Sequence, residues 1–293
     1  RHMDIAAVSR AWLAALLLGG LLALTAWGGG VRQAGAAEAG FGQGSNPGAA
    51  TTLRLVYEVT ANPPRHLGAG TRIDWARPGL TLELLRLVGA RLDIDFQFQR
   101  VPWKRGLFLV EQGLADGIFH TSHLPEREAL LAYPRRADGT LDESRAIFVQ
   151  SYLLYVRKGS PLRWDGTAFE NLDGPVGAIS SYSVVQDLRR MGVPVEEERS
   201  LTINLRKLLE GRIAASAELE GMGDAAIAAH PAFAGAIEKL QPPLRSKPYY
   251  LTFGRAFRDA EPELAERVWD AIAAEKAGPA FAALAESYES DGE

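Results

Sequence analysis

The chain has 293 residues, 47% hydrophobic and 23% charged, with a net charge of −4. That composition suits an ordinary globular protein of two domains or lobes, and the mildly acidic balance gives no basis for a nucleic-acid or anionic-membrane partner. Cysteine is absent, which removes disulfides, thiolate metal sites and a lipid-modified cysteine anchor.

Residues 1–36 read as an export signal. Met3 is the expected native start and Arg10 the positive end. AWLAALLLGGLLALTAW (11–27) is the apolar run, and Ala34-Gly35-Ala36 the small-residue cleavage site. An uncleaved anchor is the competing reading, but Gly19-Gly20 and Gly28–Gly30 weaken a permanent helix and favour cleavage near Ala36. The product is expected free in the periplasm, with the Gly/Ala-rich residues 37–51 as a flexible leader.

LRLVYEV (53–59) then predicts a strand. Leu80, Leu84, Leu87 and Val88 share one face of a helix over 79–92. In DIDFQFQR (93–100) Ile94, Phe96 and Phe98 alternate with polar residues, the pattern of a half-buried strand. Residues 104–112 read as a helix stopped by Gly113, and ADGIF (115–119) as a short strand. This β-α-β-α-β order predicts an α/β lobe with a largely parallel sheet.

A second unit follows: a long β-prone run over 146–159, a strand at 175–179, helices at 183–191 and 201–211, and a strand at 212–218. Another extended run covers 247–254, and two Ala-rich helices, at 261–275 and 279–289, close the chain. The two long runs bracket the second unit. They predict two crossings between lobes with a cleft beneath them: 52–149 as the first part of lobe 1, 150–247 as lobe 2, and 248–293 as the return to lobe 1.

In open α/β sheets a ligand sits beyond the carboxyl ends of the strands. By that rule the candidates are Glu58 after the first strand, Trp103, Lys104 and Arg105 after the second, and His120, Ser122, His123 and Arg127 after the third. Ser180, Ser181, Tyr182 and Ser183 precede a helix, and Glu218 and Glu220 follow the last strand of the second unit. Such an inventory suits a small zwitterion or organic acid. A guanidinium grips a carboxylate bidentately, helix-start N–H groups add to anion binding, and an aromatic face stacks on an apolar or cationic part. Each residue also has a plainer reading: Arg127 paired with Glu126 or Glu128, Trp103 as packing, Lys104 and Arg105 as a solvated helix face, Tyr182 and Ser183 as a turn and N-cap. His120-x-x-His123 with Glu126 imitates part of a metal site, but that spacing suits a helix better than a strand end. No P-loop or complete G-x-G-x-x-G occurs, and neither metal nor cofactor is expected.

RPGLTLELLRLVGARL, VPWKRGLFLVEQGLADGIF, LPERE, FENLDGPVGAISSYS, LTINLRKLLEGRI and KPYYLTFG follow one another in a characteristic order and spacing. On these segments the chain from about residue 52 to 290 resembles family 3 of the bacterial extracellular solute-binding proteins. The resemblance implies a two-lobed α/β fold of the periplasmic-binding-protein type II. It implies a monomeric, non-catalytic receptor that closes around an amino acid or related organic acid and delivers it to an ABC permease in the inner membrane. It further implies ligand contacts from Glu58, from Ser122 and Arg127, from Ser181, Tyr182 and Ser183, and from an acid after G-R-I. The usual Asp directly after G-R-I is Ala214 here, which leaves Glu218, Glu220 or neither; Glu218 is the candidate taken. Trp103 and Arg105 join them from their strand-end position. The alternatives are an enzyme on the same scaffold, such as a cyclohexadienyl dehydratase with Glu58, Glu218 or His120 as acid or base, and a receptor for a membrane signalling protein.

Overall fold

The computed structural model describes residues 40, 41, 46, 48–68 and 70–290. The expected signal segment and most of the leader lie outside the described residues. The chain then builds strand β1 (Thr51–Glu58), helix α1 (Leu80–Leu92), β2 (Ile94–Val101), α2 (Trp103–Glu111) and β3 (Gly117–Ser122), the predicted alternation. A 3-10 turn at Pro125–Ala129 and the two-residue strand β4 (Leu131–Ala132) lead to β5 (Phe148–Arg157). A small hairpin of β6 (Arg163–Trp164) and β7 (Phe169–Glu170) precedes β8 (Val176–Ile179), α3 (Ser183–Arg190) and β9 (Val195–Glu198). Next come α4 (Leu201–Leu209), β10 (Ala215–Leu219), α5 (Glu220–Ala228) and the one-turn α6 (Pro231–Ala234). The 18-residue β11 (Ile237–Gly254) runs back, followed by α7 (Arg255–Ala260), α8 (Pro262–Lys276) and α9 (Pro279–Ser290).

Hydrogen bonding links the strands in the order β2-β1-β3-β11-β5-β10-β8-β9. β1 pairs in parallel with β2 and β3, and β8 in parallel with β9 and β10. Between these two parallel groups lie β5 and β11, antiparallel to each other from Phe148↔Tyr249 to Arg157↔Ile237. β11 also pairs with β3 through Tyr249–Phe253, while β5 pairs with β10 through Tyr152–Tyr155. The two long runs foreseen as crossings are therefore neighbouring strands of one twisted ribbon that joins the two lobes.

Apolar packing lines both parallel groups, and one cluster runs from Val56, Leu109 and Ile118 of the first into the second. Leu55, Phe96 and Phe98 of the first sheet pack with Leu82, Leu85 and Val88 of α1 and with Trp269 of α8. Trp269 is fully buried and its indole N–H donates to Leu251 O at 2.8 Å. In the second lobe Val176, Ala178, Ala215 and Ala217 pack with Leu188 of α3 and with Leu205 and Leu208 of α4. Each such Val or Leu side chain contributes roughly 1.5–3 kcal/mol when fully buried. Among the described residues no helix is long and apolar enough to cross a membrane.

Two elements differ from expectation in ways that matter for the site. The strand predicted at 115–119 continues to Ser122, so His120, Thr121 and Ser122 are strand residues and all three are buried. The final long strand starts at Ile237 rather than 247.

Candidate ligand-binding site

The carboxyl ends of β1, β3, β8 and β10 converge with the β5–β11 ribbon on one internal cavity. It is lined by Glu58, Asn62, His66, Trp103, His120, Ser122, Arg127, Tyr152, Tyr182, Ser183, Leu219, Met222 and Tyr249. The space between these atoms is about 340 Å³, of which about 20 Å³ is open to the centre of a water molecule. The second figure matches room for one or two waters. The lobes are thus drawn together.

Local chemistry explains how each side chain arrives. β2 ends at Val101, Pro102 takes the N-cap position, and Trp103 opens α2. Trp103 is therefore at the strand end, and its backbone N–H donates to Glu58 Oε2 at 3.1 Å. β8 ends at Ile179, and Ser181 takes φ +67, a left-handed turn that lets Tyr182 cap α3 and Ser183 begin it. The segment between β1 and α1 folds back through an Asn62↔His66 bridge. It is clamped at Gly79, where φ is +108 and an added Cβ would stand 2.4 Å from His66 Cα. Only glycine fits there.

Arg127 is the cation of the cavity. Pro125 starts the 3-10 turn that carries it, and the side chain is 8% exposed. Nη1 donates to Ser122 O at 2.8 Å and Nη2 to Ser181 O at 2.8 Å, one carbonyl from each lobe. The guanidinium stands 5.4 Å from the centre of the Trp103 ring, within cation–π range. Among the described residues no carboxylate forms an ion pair with it. Ser122 Oγ donates to Ser183 Oγ at 2.8 Å, and Tyr133 OH donates to Ser122 O at 3.0 Å. Nearby Lys247 reaches Ser183 Oγ at 3.3 Å but is neutralised by its ion pair with Asp187.

Glu58 faces four donors: Thr60 N at 3.1 Å and its Oγ1 at 3.4 Å, Trp103 N at 3.1 Å and Tyr182 OH at 3.0 Å. Burial raises its pKa above the usual carboxylate range, and these hydrogen bonds only partly oppose that. Tyr182 packs edge-on against Trp103 at 6.0 Å. The bond from Tyr182 to Glu58 therefore also joins the lobes.

Two histidines complete the first-lobe wall. His66 and His120 stack at 5.2 Å. His66 Nε2 lies 2.6 Å from Thr60 O, so that nitrogen carries the proton and donates. Burial lowers its pKa to about 3, so the ring is neutral at physiological pH and Nδ1 is an acceptor. His120 adopts φ +62 and shares a 2.7 Å hydrogen bond with Thr81 Oγ1; burial likewise holds it neutral. His123 is directed elsewhere, to Glu128 at 2.5 Å. Among the described residues no group of three or more His, Asp or Glu is placed to hold a metal ion.

The structure thus gathers Glu58, Trp103, Ser122, Arg127, Tyr182 and Ser183 around one cavity. It does not bring in Arg105, Lys104, Ser181, Glu218 and Glu220 as expected. Arg105 is exposed on α2, two residues and about 200° of helical rotation from Trp103. Lys104 is exposed too and borders only a neighbouring recess. Ser181 contributes its carbonyl to Arg127, not its hydroxyl to the cavity. Glu218 is 1% exposed but sits behind the wall, accepting from Ser216 Oγ at 2.6 Å and Asn204 Nδ2 at 3.2 Å. Burial pushes its pKa up to about 7. Successive strand residues face opposite sides, so Leu219 takes the place on the cavity that Glu218 was expected to hold. Glu220 bonds Lys239 at 2.8 Å.

Sequence reasoning passed over His66, Tyr152, Leu219, Met222 and Tyr249 as site residues. Tyr152 and Tyr249 had one usable signal: both lie in the long runs that bracket the second unit, next to the predicted cleft. His66 had none, because its loop lacks periodicity.

No protein-family model matches the chain, and no curated protein does. Solved structures match its fold. A histidine kinase sensor domain with similarity to periplasmic binding proteins superposes with a TM-score of 0.64 at 14% identity, covering 81% of this chain and 95% of that one. An arginine third transport system periplasmic binding protein from Legionella pneumophila gives 0.64 at 12% identity, covering 81% and 99%. An ancestral amino-acid-binding protein described as a precursor of cyclohexadienyl dehydratase gives 0.58 at 15% identity, covering 81% and 94%. The fold is therefore the two-lobed periplasmic-binding-protein type II fold, as expected from the sequence. Its neighbours in structure include amino-acid periplasmic binding proteins and substrate-binding proteins of ABC transporters.

Proposed function

We propose that this protein is a non-catalytic periplasmic receptor that closes its lobes around a small carboxylate-bearing solute and delivers it to an ABC importer. The observation that carries this reading is Arg127. A buried guanidinium without an ion-pair partner is costly, and here it lies where the lobes meet, held by main-chain carbonyls from both. A solute carboxylate supplies the missing charge, and its arrival favours the closed state in which both carbonyls are in reach. Ser122, Ser183 and the Trp103 face complete the carboxylate end.

The test is calorimetry on Arg127→Ala with a solute found by thermal-shift screening of carboxylic acids. Truncating one member of a buried charge pair costs about 2–5 kcal/mol, so affinity should fall at least thirty-fold. Affinity within a factor of three of the parent, in a variant that melts normally, would sink the assignment.

A second reading has one comparison behind it. The sensor-domain neighbour favours a receptor whose partner is a membrane signalling protein. Stimulation of ATP hydrolysis by a reconstituted permease when the loaded protein is added supports delivery; binding to a sensor ectodomain without such stimulation supports signalling. Product formed from prephenate or arogenate by the protein alone would instead favour an enzyme.

A further inference from the structure

We infer that the solute carries a neutral oxygen beside its carboxylate, as in a 2-hydroxy or 2-oxo acid with an apolar side chain, and not the ammonium group of an amino acid. The inference rests on the reading of Arg127 as the carboxylate anchor.

A desolvated ammonium needs an ionised carboxylate or a full set of acceptors. Among the described residues the cavity offers no free carboxylate, and its unpartnered neutral acceptors, Asn62 Oδ1 and His66 Nδ1, can be met equally by the O–H of a 2-hydroxy acid. Glu58 is the only carboxyl group in its lining among the described residues, and it already accepts from Thr60, Trp103 and Tyr182. Burial also disfavours its charged form. The acids of the opposite lobe are spent elsewhere, Glu218 on Ser216 and Asn204 and Glu220 on Lys239. What β10 and α5 present to the cavity is Leu219 and Met222.

The surrounding field points the same way. Besides burial, the neighbouring charges of Arg100 and Arg65 depress protonation of His66, and Arg65 does so at His120. Together with Arg127, these cations make the cavity unfavourable for another positive charge.

One donor identifies the neutral group. Trp103 Nε1 is buried, in a residue only 6% exposed, and has no acceptor among the described residues. An unmade buried hydrogen bond is costly. A hydroxyl or carbonyl oxygen has the lone pair it lacks; an ammonium has none. The same indole lies beneath Arg127, so one small molecule can place its carboxylate on the guanidinium and its adjacent oxygen on the indole N–H. Tyr152, Tyr249, Leu219 and Met222 then surround an apolar side chain.

The experiment is calorimetry with two matched triplets: leucine, 2-hydroxy-4-methylpentanoate and 4-methyl-2-oxopentanoate, and phenylalanine, phenyllactate and phenylpyruvate. In at least one triplet an oxygen-bearing acid should bind ten-fold or more tighter than the amino acid of the same side chain. Trp103→Phe should weaken that acid about five-fold more than it weakens the amino acid of the same side chain, the loss of one hydrogen bond that only the oxygen can accept. Equal or tighter binding of the amino acids, still lost in Arg127→Ala, overturns this inference and leaves the carboxylate anchor standing. Binding of a non-carboxylate that ignores Arg127→Ala, with all six compounds silent, overturns the anchor and the inference together.

Discussion

Glu58 and Glu218 form an instructive pair. Each stands at or next to the end of a strand, one in each lobe; both are buried, and burial lifts both above the usual carboxylate range. Yet Glu58 belongs to the cavity and Glu218 does not. Glu58 meets donors from α2 and from Tyr182 across the lobe boundary. Glu218 is one residue short of the end of β10, on the other side of the strand from Leu219, and its Oε2 has no partner among the described residues. Parity along the strand, more than residue type, decides which acid faces the cavity. An acid in the wrong phase becomes a stability problem for the fold instead of a contact.

That contrast can be sharpened by experiment. The largest effect belongs to Glu218→Gln. A folded-state pKa near 7 against an ordinary 4.5 means that stability is fully present below pH 4.5 and is lost as pH rises through 7. The loss amounts to about 3 kcal/mol. Denaturant melts at pH 5 and pH 8 should show the parent weaker at pH 8 and the glutamine variant nearly level. A parent equally stable at both values would remove the buried-acid account.

Next comes closure, on which the Glu58–Tyr182 bond depends. A Cβ on Gly221, in the first turn of α5, would stand 2.6 Å from both Asn62 Oδ1 and Pro63 O. Gly221→Val should therefore wedge the lobes apart and weaken solute binding by about 2 kcal/mol, an overpacking cost. Small-angle scattering should show compaction on ligand addition for the parent only; a variant that still compacts would contradict the wedge.

Tyr182→Phe removes a single donor to Glu58 and should lower stability by about 1 kcal/mol, read from the midpoint of urea unfolding. The smallest effect belongs to Arg105→Ala, which should change solute affinity by less than about 0.5 kcal/mol. A ten-fold loss would restore Arg105 to the site.

Much of this architecture is legible in residue patterns. The alternation of Ile94, Phe96 and Phe98 and the helical spacing of Leu80, Leu84 and Val88 suffice for the first lobe, because each element buries one regular face. Strand β9 was missed because VEEE offers no apolar alternation. Helix α5 was missed because EGMGDAAIA contains two helix-weakening glycines. Pro242 and Pro243 hid the first part of β11, since proline argues against a strand and is tolerated there only at an irregularity in its pairing with β5. In the site, Arg127, Ser122 and Glu58 were legible from strand ends. Arg105 and Glu218 were misplaced by angles of rotation that a strand-end rule does not contain. His66 and Tyr249 reach the cavity through contacts between segments far apart in the chain, such as the Tyr288 hydroxyl accepting from Gly79 N at 2.9 Å.

The contact between Tyr288 and Gly79 also bears on the order in which the molecule is made. The apolar face of α1 is covered by α8 and α9, with Trp269 and Phe281 in that layer. During synthesis, Leu82, Leu85 and Val88 emerge long before the residues that shield them, whereas the second lobe finds its partners within a shorter stretch of chain. The first lobe, although encoded first, is completed last. Its uncovered helix face is the surface that a holding chaperone would have to protect until the final turns of the polypeptide arrive.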